Sequence, residues 1–102
     1  MEKFFIVVRN DLDPGLAMAQ ACHAAYTFGI YSPKKTRRNI AVLGASKQKL
    51  EELIVTSDGR KYDYEPFYEP DLNNEVTAAA FGAEAKSILS SLPLAFRGMQ
   101  LA

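Results

Sequence analysis

His23 is the only histidine in the chain, and histidine is the side-chain type that acid–base chemistry near neutrality would draw on first. Leu16, Gln20, His23 and Thr27 recur at helical spacing, so the polar members of that set share one stripe. Carboxylates gather in two turns, Asp11 and Asp13 early and Glu69 and Asp71 late. Folded together around Gly15 they could supply a general base, although tight turns select the same residue types for their own geometry. Lys34, Lys35, Arg37 and Arg38 form a basic loop that could grip phosphates or simply stand in water.

Two combinations that look chemical read better as structure. Cys22 adjoins His23, but neighbours on a helix diverge by about 100°. The thiol is therefore expected among the apolar residues as a small core side chain. One histidine beside one cysteine has no metal-ligand spacing, and no metal or other cofactor is expected. Ser46-Lys47-Gln48-Lys49 mimics a Ser-x-x-Lys motif, yet its setting before Leu50, Leu53 and Ile54 is that of a helix cap.

The elements that must position these groups follow from periodicity. Phe4 to Arg9 is aromatic and β-branched on both faces, as in a central strand. Asp13 and Pro14 then open a helix that runs to Phe28 and closes at Gly29. Its wheel places Ala17, Ala21, Ala24 and Phe28 on the core stripe, with Met18, Cys22 and Ala25 beside them. Ile40 to Leu43 reads as a second strand, and a helix between two strands predicts a parallel pair. A short helix over Leu50 to Ile54 stops at Ser57-Asp58-Gly59. Tyr62 to Tyr68 alternates as a strand that Pro66 confines to an edge. Glu75 to Phe81 is expected as its hairpin partner, with a helical reading of its alanines left open. Ala85, Ile88, Leu89 and Leu92 predict a last helix ended by Pro93, followed by an apolar tail.

The resulting order, β-α-β-α-β-β-α, predicts an α/β fold in one small domain over residues 1–102, a mixed four-stranded sheet flanked by helices. Twelve basic residues balance twelve acidic ones, so no global field would hold a polyanion and RNA binding would need a local patch. A lone cysteine excludes an internal disulfide, and neither a signal peptide nor a membrane span is legible. A cytoplasmic protein is expected.

The run Phe5-Ile6-Val7-Val8-Arg9-Asn10-Asp11-Leu12, then Gly15, then Ala19-Gln20-Ala21-Cys22-His23-Ala24-Ala25, resembles the opening of the type II peptidyl-tRNA hydrolases. The later elements follow the family's order, so the resemblance covers nearly the whole chain and is strongest in its first quarter. It implies cleavage of the ester between a peptide and the terminal ribose of tRNA. That chemistry needs a base to orient water and a donor or cation for the oxyanion.

In the family a lysine follows the glycine and an Asp-Ala-Gly-x-Thr loop faces it; here Leu16 and Glu69-Pro70-Asp71-Leu72-Asn73-Asn74 stand in those places. Arg9, Asp11, Gly15, Gln20, His23 and Thr77 match. The resemblance thus implies a catalytic set of His23, Glu69, Asp71, Asp11 and Thr77. Gly15, Gln20, Lys34, Lys35, Arg37 and Arg38 would bind tRNA. The alternative is a non-catalytic relative that binds tRNA or protein. Self-association into a homodimer through an edge strand and the apolar tail is a third expectation.

Overall fold

Both faces of β1 (Lys3–Arg9) are buried from Phe4 onward, which is why its sequence shows a continuous apolar run rather than an alternation. A computed structural model describes residues 2–33 and 38–96 of the chain. After β1 come α1 (Pro14–Tyr31), β2 (Asn39–Ala45), α2 (Lys47–Gly59), β3 (Tyr64–Glu69), β4 (Glu75–Phe81) and a short α3 (Lys86–Leu89). The sheet order is β2-β1-β4-β3. β1 and β2 are parallel, while β4 runs antiparallel to both β1 and β3. The mixed α/β architecture is therefore the expected one.

Side-chain alternation along β1 divides the core in two. Phe5 and Val7 join Leu50 and Leu53 of α2, together with Ala79 and Phe81. Phe4, Ile6 and Val8 join Ala17, Ala21, Ala24 and Phe28 of α1, with Ala78 and Ala80. The two long helices thus cover opposite faces. The alanines of β4 let α1 lie close to the sheet, and they are wholly buried. Each large apolar side chain so buried contributes about 1.5–3 kcal/mol.

Several boundaries differ from the sequence reading. α1 continues through Gly29 to Tyr31, because Ser32 rather than glycine closes it, donating its N–H to the Phe28 carbonyl at 2.8 Å. Asp13 holds the N-cap position but makes no side-chain cap bond, whereas Ser46 caps α2 by accepting from Lys49 N at 3.1 Å. The last helix is a 3-10 turn over Ala83–Ala85 running into the single turn of α3. Its apolar spacing seats Ala85 and Leu89 in the core on α2's side of the sheet, with Ile88 and Leu92 packed against it, as expected.

The largest correction concerns the rotation of α1. Its buried residues are Ala17, Gln20, Ala21, Ala24 and Phe28, while Met18 and Cys22 are exposed. The helix is turned by roughly 50° from the expected face, because a polar partner on the sheet draws Gln20 inward. Cys22 is consequently a surface thiol and not a core residue. Gly44 N–H donates to Pro93 O and Ala95 N–H to Val42 O, both at 2.9 Å. Pro93 to Ala95 therefore lie along the outer edge of β2.

Candidate functional site

The C-terminal end of β1, the start of α1 and the β3–β4 hairpin meet at one end of the sheet, and most of the sequence-predicted polar residues lie there. Gln20 stands at the centre, 2% exposed. Its Nε2 donates to Glu69 Oε2 at 2.8 Å, and its Oε1 accepts from Thr77 Oγ1 at 3.1 Å. Thr77 is fully buried. The other oxygen of Glu69 accepts from Asp71 N at 3.3 Å, capping the 3-10 turn Pro70–Leu72. Asn73 and Asn74 then adopt left-handed backbone (φ 54° and 59°), which their short polar side chains tolerate.

A β-bulge makes the Thr77 contact possible. In the β3–β4 ladder Phe67 pairs with Ala78 and Tyr68 with Val76, so Thr77 has no opposite number. Strict alternation would send Thr77 to the face of Ala79 and Phe81. Instead Val76 packs there, with α2's cluster, and Thr77 turns toward α1. Re-aiming one side chain is a common use of a bulge.

His23, one turn beyond Gln20, is exposed and stacks flat on Phe67 of β3, with ring centroids 4.7 Å apart and planes 10° apart. Among the described residues no hydrogen bond is made to its ring. Gly15 has open space beside it, and Leu16 is exposed. Asp71 is exposed, and its carboxylate has no ion pair among the described residues.

Asp11 belongs to a second cluster. The Arg9 guanidinium, buried at the end of β1, holds both Asp11 oxygens at 2.9 and 2.8 Å. It also donates to Glu75 Oε1 at 3.0 Å and to the Val76 carbonyl at 3.2 Å. Lys47 Nζ reaches the same Glu75 oxygen at 3.1 Å. The bonds from Arg9 lower the Asp11 pKa against a smaller desolvation. Lys47 first and Arg9 second lower that of Glu75. In return the Asp11 bond raises the Arg9 pKa. Two cations and two carboxylates balance, so the cluster is an ionic clamp joining β1, β4 and the start of α2. Beside it, between α2 and the hairpin, lies a groove of about 320 Å³ lined by Lys47, Glu51, Val55, Tyr68, Asn74 and Glu75 among others.

Gln20, Glu69 and Thr77 are thus brought together with His23 one turn away, whereas Asp11 is engaged by Arg9. Arg38 lies elsewhere. Its guanidinium sits over the rings of Phe4 and Phe28, 4.9 and 5.3 Å from their centroids, at the opposite end of β1. A six-residue advance along the strand separates the two ends by about 20 Å. Lys34, Lys35 and Arg37 lie outside the described residues. Lys47, Glu75 and Phe67 were missed as site residues; Glu75 carried a signal, as a carboxylate opening a strand that must pair beside Arg9. No His/Cys/Asp/Glu group that could hold a metal ion occurs among the described residues. No helix among them is long and apolar enough to cross a membrane.

No family model matches the chain, and no curated protein matches it in sequence. Among solved structures it is similar to a protein of unknown function from Agrobacterium tumefaciens strain C58. The TM-score is 0.72, with 91% of this chain and 96% of that one covered at 13% identity. A likeness at that identity is one of fold.

Proposed function

We propose that this chain is a peptidyl-tRNA hydrolase-like protein that binds a tRNA-type ligand without cleaving it. The observation that carries this reading is the chain Thr77–Gln20–Glu69, in which the buried hydroxyl and the buried amide bond to partners within the protein. A catalytic hydroxyl must be able to meet water or substrate, and here Thr77 is fully buried, while Glu69 is held in place by Gln20 on one oxygen and by Asp71 N on the other. Leu16 offers neither proton nor charge to an oxyanion. Arg9 and Lys47, the cations nearest that end, are each paired to carboxylates.

A second reading, slow hydrolysis, rests on His23, whose exposed ring is oriented by Phe67 one turn from the triad. Purified peptidyl-tRNA separates the two, with a lysine-bearing family enzyme as positive control. Under the binding reading the protein gives no release above buffer, while tRNA binding is measurable and weakens as salt rises. Turnover that disappears in His23→Ala would replace it by the hydrolytic reading. Neither turnover nor binding would remove both.

A further inference from the structure

The two outer strands of the sheet guard their edges differently. β3 carries Pro66 and the carboxylates of Glu65 and Glu69, residue types that keep a strand edge from pairing with another chain. β2, Asn39–Ala45, has neither charge nor proline. Its backbone groups alternate in direction. Asn39 N–H turns inward to Glu2 O and the Ala45 carbonyl to Asn10 N–H, whereas Gly44 N–H and the Val42 carbonyl turn outward. Pro93 and Ala95 meet those two outward groups, with an antiparallel bridge between Leu43 and Leu94. An edge without protection of its own is thus covered by a later segment of the chain.

We propose that Pro93–Ala95 is a releasable strap, and that the β2 edge it frees pairs with the same edge of a second copy, antiparallel about a two-fold axis at Val42. The strap is held lightly. Leu94, at its centre, is 60% exposed, and Ala95 and Phe96 pack against α1's cluster as partly buried side chains. The backbone at Phe96 is left-handed, φ 60°, a conformation that costs any residue with a Cβ. The extended run therefore ends with Ala95. Further along the same edge Ile40 is 52% exposed.

A second copy fits that edge because a two-fold axis sets β2 against itself. By alternation the outward-facing residues are Ile40, Val42 and Gly44. Antiparallel pairing centred on Val42 lays Ile40 opposite Gly44 of the other copy and Val42 opposite Val42, so that no two charges meet. Gly44 N–H and the Val42 carbonyl exchange their bonds to the strap for backbone bonds across the axis, and neither is left unpaired. The two four-stranded sheets then join into one. Strap and second copy compete for the same backbone groups, so pairing waits on release. This device is independent of the ligand-binding reading.

Hydrogen exchange followed by NMR on the full chain reads the strap through the Gly44 amide. In the wild type it should exchange about tenfold or more faster than the amide of Val7 in the central strand, because the strap opens without the core. Ala95→Pro removes the N–H that bonds Val42. Loss of one such bond raises the open fraction by about tenfold, and a dimer that needs both copies open should gain about a hundredfold in apparent affinity. Light scattering coupled to size exclusion over a dilution series measures that gain. Adding Ile40→Lys to Ala95→Pro should abolish the dimer, since lysine on an edge opposes pairing, and leave Gly44 exchange as in the single variant. Wild-type Gly44 exchanging no faster than Val7 overturns the strap without recourse to any variant. An Ala95→Pro protein that is monomeric at every concentration, or no more associated than the wild type, overturns the proposal. A dimer indifferent to Ile40→Lys overturns it by placing the interface elsewhere.

Discussion

Replacing Gln20 with leucine asks what the buried triad is for. Leucine nearly matches the volume of glutamine, so the cavity contribution is small and the change acts on hydrogen bonds. Thr77 Oγ1, fully buried, loses its acceptor, and stranding such a group costs about 1–3 kcal/mol. Glu69 loses the amide donor at 2.8 Å, but its half-exposed carboxylate rehydrates, adding no more than about 1 kcal/mol. The extra apolar burial of leucine offsets about 1 kcal/mol. The net expectation is a loss of roughly 0–3 kcal/mol, centred near 1.5, a substantial part of the stability of a small domain.

Thr77→Val leaves the Gln20 carbonyl without its donor and should cost about 1–2 kcal/mol. The double variant removes both stranded groups together, so it should be less destabilised than the sum of the singles by about 1–2 kcal/mol. Urea unfolding, followed by fluorescence of the five tyrosines and by circular dichroism, gives all three values at one common slope. Additivity within about 0.5 kcal/mol would refute the coupling. A Gln20→Leu protein as stable as the wild type that had lost a measured turnover would make the triad catalytic.

Two further outcomes follow from the same geometry. Asp11 and Glu75 have folded pKa values below their ordinary ones, so their stabilisation is present above the ordinary carboxylate range and is lost as pH falls through the folded values. The urea midpoint should therefore drop below about pH 4, and Arg9→Met should flatten that acid limb; an unchanged limb would remove the ionic clamp from the account. Ser57 Oγ is buried in α2 without a hydrogen-bond partner, so Ser57→Ala should raise the melting temperature by a few degrees, equivalent to about 0.5–1 kcal/mol. A lowered melting temperature would show that the hydroxyl has a partner after all.

The sequence made the strands and the helix starts legible where a local cause dominates. Pro14 opens α1, Ser46 caps α2, Pro66 sits on an edge strand, and Glu75 to Phe81 has the expected bounds. What it did not disclose depends on contacts between distant elements. The wheel of α1 admits either Met18 and Cys22 or Gln20 beside the alanine stripe, and hydrophobicity alone favours the former. Only the arrival of Thr77 and Glu69 from the hairpin reverses the choice. The bulge at Thr77 has no glycine to announce it. The spread of the candidate site was likewise hidden, because Arg38 and Asp11 flank opposite ends of β1 and no local pattern says which end a loop serves.

One rotation connects the two halves of the molecule's surface. Burying a glutamine is favourable only if both ends of its amide are satisfied, and here the bulged Thr77 and the hairpin's Glu69 provide that. Satisfying them turns α1 by roughly 50°, and the same turn carries Met18 and Cys22 out to the solvent beside Tyr26 and Ile30. Had the helix kept its more apolar stripe on the sheet, Gln20 would have turned away from Thr77 and Glu69, leaving the buried Thr77 hydroxyl without its acceptor. The polar triad and the exposure of Met18 and Cys22 are therefore consequences of one packing choice.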